Sequence, residues 1–132
     1  MTKRIAWFAL FLALVACGSA AEEGTQTTTG AALAARIEAG SAPVILDVRT
    51  PEEFAAGHVK GAVNVPHDQL AERLAGLGLD PNAEVVVHCE KGGRAKAAEA
   101  VLHDAGFTRV VDLEGHMQGW RETGLPAEPK KP

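Results

Sequence analysis

Apolar residues along this chain fall into two kinds of block: continuous runs rich in Val, Ile and Leu, and runs spaced three and four apart. Residues 44–48 (VILDV) and 84–88 (EVVVH) are continuous and of strand length, the pattern of strands covered on both faces. Residues 62–65, stopped by Pro66, and residues 109–113 predict two further strands. Residues 31–39 are apolar at Ala31, Leu33–Ala35 and Ile37 and end at Gly40, which predicts a short helix. Thr50-Pro51-Glu52-Glu53 is a helix start in which Thr50 caps, Pro51 stands at the first helical position and Glu53 completes a capping box; the helix ends near Gly57. Residues 68–77 put Leu70, Leu74 and Leu77 on one helical face, and residues 95–105 do the same for Ala98, Val101, Leu102 and Ala105, with Gly106 just beyond. Residues 116–122 form a last short helix, and the tail from Leu125, with three Pro, is expected to be loose. Strands that alternate with helices imply a parallel sheet covered on both faces, a single three-layer α/β sandwich. Ligands in such sheets sit beyond the carboxyl ends of the strands, and Cys89 stands at such an end.

The first residues follow a different logic. Lys3 and Arg4 precede an uncharged apolar run, residues 5–15 (IAWFALFLALV), far shorter than the roughly 20 residues that span a bilayer. Residues 1–16 therefore read as a cleaved export signal. Leu14-Val15-Ala16-Cys17 resembles the lipobox of bacterial lipoproteins, which implies that Cys17 becomes a lipidated N-terminus. An ordinary signal with a chance Cys, and a Cys17–Cys89 disulfide, are the alternatives. The resulting division is a signal peptide over residues 1–16, a lipidated tether over 17–29, the domain over 30–126 and a loose tail over 127–132. The expected location is the periplasmic side of a bacterial envelope, held to the membrane by lipid. Gly18, in place of the Asp that marks inner-membrane retention in such lipoproteins, points to the outer membrane.

Composition narrows the function classes. The 132 residues carry a net charge of −4, which argues against a nucleic-acid partner. Two Cys without a CxxC pair exclude a disulfide framework and dithiol redox chemistry. The five His show neither HxH nor HxxxH spacing, so no metal site is expected. With four Phe, two Trp and no Tyr, the core must be built from Ala, Val and Leu.

The segment after residues 84–88 carries the chemistry. Cys89-Glu90-Lys91-Gly92-Gly93-Arg94 runs from strand into helix. Gly92 and Gly93 can take positive φ, so the backbone can curl and aim its N–H groups inward as an anion nest. The following helix adds free N–H groups and its positive end, and no Ser, Thr, Asp or Asn stands there to cap it. A Cys89 thiolate is stabilised in that setting, with Lys91 and Arg94 adding positive charge. The competing reading is a buried, inert Cys at a strand end. Tyrosine-phosphatase-like sites resemble Cys-x₅-Arg, a ring sized for phosphate; here the spacing is Cys89-x₄-Arg94, a smaller cradle suited to one extra sulfur.

Three stretches together resemble the single-domain rhodanese family over about residues 29–126. They are Leu46-Asp47-Val48-Arg49-Thr50-Pro51-Glu52-Glu53-Phe54, continuing through residues 57–66 (GHVKGAVNVP); His88-Cys89-Glu90-Lys91-Gly92-Gly93-Arg94; and Leu113-Glu114-Gly115-His116-Met117-Gln118-Gly119-Trp120. The resemblance implies a central, mostly parallel sheet of about five strands. It implies a sulfurtransferase in which catalytic Cys89 forms a persulfide. Glu90, Lys91, Gly92, Gly93 and Arg94 would bind the substrate. A small anionic sulfur donor and a thiol or cyanide acceptor are implied, with no metal or organic cofactor. Two positions depart from the family's habit: His116, where Gly is frequent, is expected near the pocket mouth, and Ala95, where Ser or Thr is frequent, removes a hydroxyl donor.

Other residues receive structural readings. Asp47 and Arg49 are expected to tie down a loop and to pair with a carboxylate. His88 should point to the sheet face opposite Cys89. His58 should bond a backbone group, and Trp120 should anchor packing. A monomer is expected. A non-catalytic rhodanese-like binding or sulfur-carrier module and a phosphatase or arsenate reductase remain as alternative functions.

Overall fold

The computed structural model describes residues 25–129. The expected export signal, the lipobox with Cys17, most of the tether and the last three residues lie outside the described residues.

Five strands form one parallel sheet: β1 (Gln26–Thr28), β2 (Val44–Asp47), β3 (Val63–Asn64), β4 (Val85–His88) and β5 (Val110–Leu113), in the order β1-β5-β4-β2-β3. Four of them match the predicted apolar runs. The fifth, β1, falls inside the expected tether and shortens it: Gln26, Thr27 and Thr28 pair with Val111, Asp112 and Leu113, and Thr27 Oγ1 donates to Glu114 Oε1 at 2.8 Å. Its polar residues carry no strand pattern, because it is an edge strand recruited by β5.

Five helices cover the sheet: α1 (Gly30–Glu38), α2 (Pro51–Ala56), α3 (Leu70–Arg73), α4 (Gly93–Asp104) and α5 (His116–Glu122). Strand alternation sorts the core into two layers. Leu46, Val48, Val85, Val87, Cys89 and Val110 pack with Leu70, Leu74, Ala95, Ala98 and Leu102 on the α3/α4 side. Ile45, Val86, Val111 and Leu113 pack with Leu33, Met117 and Trp120 on the α1/α5 side. This is the three-layer α/β sandwich that the alternating pattern predicts.

Local signals act as read at α2. Thr50 Oγ1 accepts from Glu53 N–H, and Glu53 Oε2 accepts from Thr50 N–H, a complete capping box. The predicted helix over 68–77 is α3 followed by a 3-10 turn (Leu74–Leu77); Gly78, left-handed at φ 64°, closes it. In α4 the buried face is Ala95, Ala98, Glu99 and Leu102, while Ala105 is exposed. The tail is not loose where it begins: Glu128 pairs with His58 through two main-chain bonds of 2.9 and 2.8 Å. Trp120 Nε1 donates to the Pro126 carbonyl at 3.0 Å, and Leu125 packs against the α1/α5 core. No helix among the described residues is long and apolar enough to cross a membrane.

Candidate active site

Strand β4 delivers Cys89 to the carboxyl edge of the sheet. Alternation along β4 sends Val85, Val87 and Cys89 toward α4 and Val86 and His88 to the opposite face, as expected. The thiol lies beneath its own loop rather than at an open mouth, with Cys89 only 1% exposed. The Gly92 amide donates to Cys89 Sγ at 3.0 Å. Gly92 adopts φ 128° and ψ −27°, a conformation open to glycine, and this is what curls the loop onto the sulfur. Gly93 differs from expectation: it opens α4 without positive φ, and a Cβ there would meet nothing. No side chain caps α4, so its first-turn amides remain available beside the loop.

The loop is also held from behind. Met117 N–H donates to the Cys89 carbonyl at 3.0 Å, and Gln118 N–H to the Glu90 carbonyl at 3.1 Å. Cys89 N–H donates to His116 Nδ1 at 3.3 Å. The first turn of α5 thus grips both main-chain polar groups of Cys89. His116 is close to the site, as expected, but it faces the main chain from beneath and is 8% exposed.

Charges around the loop are largely paired. Arg94 does not project freely; its guanidinium meets Glu53 bidentately at 2.7 and 3.0 Å. The Arg94 hydrogen bond, reinforced by Thr50, holds the Glu53 carboxyl well below the usual carboxylate range, at about 2, against the opposing effect of burial. Glu90 turns its carboxylate back to Arg49 (3.5 Å) and to Arg121. The Glu90 side chain therefore braces the loop. Lys91 is exposed and has no ion pair among the described residues, so it is the loop cation that faces solvent.

Asp47 and Arg49 are buried and pair with each other, at 2.7 Å from Arg49 Nη2 to Asp47 Oδ2. Arg49 Nη2 also donates to the Gly57 carbonyl at 2.8 Å, which ties the end of α2 to the end of β2. Asn64 Nδ2 donates to the Asp47 and Arg49 carbonyls, both at 3.0 Å, and secures the same turn. His88 is fully buried, and its burial pushes its basicity down. Its Nδ1 donates to the Cys89 carbonyl at 3.3 Å, and its Nε2 makes no hydrogen bond but lies 3.7 Å from Asp47 Oδ2. It has no route to act as a base toward the thiol. His58 Nδ1 donates to the Phe54 carbonyl at 2.9 Å, the backbone role expected of it. Trp120 is buried as a packing anchor. Among the described residues, no group of three or more His, Cys, Asp or Glu could hold a metal ion.

A family model described as a rhodanese-like domain matches residues 29–123, across the sheet and the Cys89 loop. The chain belongs to the rhodanese-like domain family. It is 40% identical over 95 residues to thiosulfate sulfurtransferase 16, chloroplastic, of Arabidopsis thaliana, covering 63% of this chain and 78% of that one. It is 35% identical over 92 residues to thiosulfate sulfurtransferase GlpE of Pseudomonas entomophila, covering 70% and 80%. The crystal structure of a rhodanese-related protein from Thermoplasma volcanium superposes with a TM-score of 0.69 at 31% identity, covering 80% of this chain and 99% of that one. The rhodanese-like frame accounts for the five-stranded sheet with Cys89 at its carboxyl edge.

Proposed function

We propose that the chain is a sulfurtransferase that carries sulfane sulfur on Cys89. The observation that supports this most directly is the Gly92 amide on Cys89 Sγ, at the carboxyl end of a strand and beside an uncapped helix. Relatives named thiosulfate sulfurtransferase supply the donor class. Cys89 thiolate attacks the outer sulfur of thiosulfate. The donor's S–S bond breaks, sulfite leaves with the bonding electrons, and a Cys89 persulfide remains. Cyanide or a thiolate then attacks the terminal sulfur, and the Cys89 thiolate departs as the leaving group. One difficult transfer becomes two easier ones. The loop amides offer fixed donors to the negative sulfur in both steps. Lys91 meets the incoming anion, and Arg94 joins it by leaving Glu53.

Intact-mass measurement after thiosulfate treatment tests this reading. The expected result is the gain of one sulfur atom, reversed by cyanide and absent in Cys89→Ser. A second reading, a non-catalytic module, is favoured by the buried thiol and by the Arg94–Glu53 pair. It predicts no adduct with thiosulfate or any persulfide donor. Turnover of an aryl phosphate would indicate phosphatase chemistry, against which the four-residue spacing argues.

We further infer that the chain is exported and tethered by lipid on Cys17, at the periplasmic face of a bacterial outer membrane. The support is the lipobox-like Leu14-Val15-Ala16-Cys17. Mass spectrometry of the N-terminal peptide from the producing cell should find diacylglyceryl and acyl groups on Cys17. An unmodified Cys17, or retained residues 1–16, overturns it.

A further inference from the structure

We propose that His116 is a positioning residue for the nucleophile: its Nδ1 lone pair holds the Cys89 amide and so fixes the backbone from which Sγ projects. The inference rests on the reading of Cys89 as nucleophile. His116 sits at φ 52°, the one non-glycine residue at positive φ among the described residues, directly after Gly115 at φ 74°. Two left-handed residues in succession reverse the chain at the end of β5 and swing the imidazole back under the loop. A left-handed backbone costs a residue with a side chain about 1–2 kcal/mol, so glycine would fit here with less strain. The ring makes two contacts that glycine cannot. Nδ1 accepts from Cys89 N–H at 3.3 Å. The ring also lies against Gly92, where an added Cβ would stand 3.0 Å from Nε2. The imidazole is therefore wedged between the amide of Cys89 and the glycine whose own amide touches Sγ.

That geometry selects one tautomer. A nitrogen that accepts from a main-chain amide must keep its lone pair, so the proton resides on Nε2. Nε2 faces Asp112 Oδ1 at 3.6 Å, a placement that favours a proton there. A second proton, on Nδ1, would turn the acceptor into a donor pointed at a donor and release the Cys89 amide. The groups in contact with the ring are Asp112 of β5, the Cys89 amide and Gly92. Glu99 and Lys96 of α4 lie behind Asp112.

Two variants separate positioning from bulk packing. Asn tolerates positive φ and can offer a side-chain oxygen to Cys89 N–H, whereas Gly accepts the backbone and offers nothing. Single-turnover persulfide formation with thiosulfate is measured on the full chain. The expected result for H116G is a loss of about 10-fold in the rate constant at saturating thiosulfate with little change in half-saturation, and for H116N recovery of most of that loss. Nitrogen NMR of the unmodified chain should show the Cys89 amide proton bonded to Nδ1 and the ring proton on Nε2. An undiminished rate in H116G, an H116N no better than H116G, or a proton found on Nδ1 overturns the proposal. If the unmodified chain takes up no sulfur at all, the sulfurtransferase reading fails and the role with it. A normal adduct alongside any of the three adverse results sinks only the role of His116.

Discussion

Replacing Glu99 by Gln should stabilise this protein at alkaline pH and leave it nearly unchanged in acid. Glu99 projects from α4 toward the sheet, 8% exposed, beside Asp112 of β5. Burial, then the Asp112 carboxyl, pushes its acid upward from the ordinary 4.5 to about 7, with Lys96 opposing. The folded state thus binds this proton more tightly than the unfolded chain does. Folding takes up a proton between those limits, so stability falls as pH rises from about 4.5 to about 7. At 1.36 kcal/mol per pH unit, that interval sets a ceiling of about 3 kcal/mol. Because Glu99 interacts with the neighbouring Asp112 carboxyl, only part of that ceiling belongs to Glu99 alone, and about 1–2 kcal/mol is expected. In a domain of this size each kcal/mol moves Tm by roughly 4–8 °C. Thermal unfolding of both proteins at pH 5, 6, 7 and 8 and constant ionic strength measures it. The difference in Tm should open between pH 5 and 8 in favour of E99Q, and titrating groups remote from Glu99 cancel in that difference. Parallel Tm curves, or an E99Q protein less stable at pH 8, would refute the reasoning.

Three further outcomes follow from the site. E53Q keeps the capping box, since Gln serves at that position, but loosens the hold on Arg94; the KM for thiosulfate should fall while Tm shifts little, because a half-exposed pair contributes at most about 1 kcal/mol. An unchanged KM would mean that Arg94 never meets the donor. D47N strips the close charge partner from a buried guanidinium and leaves it only Glu90 at 3.5 Å, so it should cost about 3 kcal/mol in denaturant unfolding, with loss below about 1 kcal/mol counting against the pairing. G92A meets both φ 128° and the His116 ring at 3.0 Å, so persulfide formation should collapse while far-UV circular dichroism stays native; normal uptake would contradict the curled loop.

The parts of this molecule that were legible in advance are those where a local pattern carries a physical instruction. The Val85–His88 run announced a buried strand, and its two-residue alternation told Cys89 from His88. Thr50 and Glu53 announced the start of α2, because a capping box is complete within four residues. What stayed hidden was made by residues far apart in the chain. Glu53 was readable as a cap, but nothing near it signals that its carboxylate also meets Arg94, 41 positions away. Gln26–Thr28 has no apolar period at all and becomes a strand by pairing with β5. Glu128 looked like part of a proline-rich tail until His58 supplied its two main-chain partners. Gly93 is the opposite case: it stands beside a glycine that the turn requires, but has no positive φ and would accommodate a Cβ.

The direction of β1 has a consequence for how the protein would hang from a surface. Parallel to β4, it enters the sheet at the end opposite the Cys89 loop. If Cys17 carries lipid as proposed, the nine peptide links from Gln26 back to Cys17 would reach at most about 30 Å, starting from the far pole of the sheet. The reactive edge would then look out into the aqueous compartment with its back to the bilayer, reachable by diffusing anions and by large thiol carriers alike.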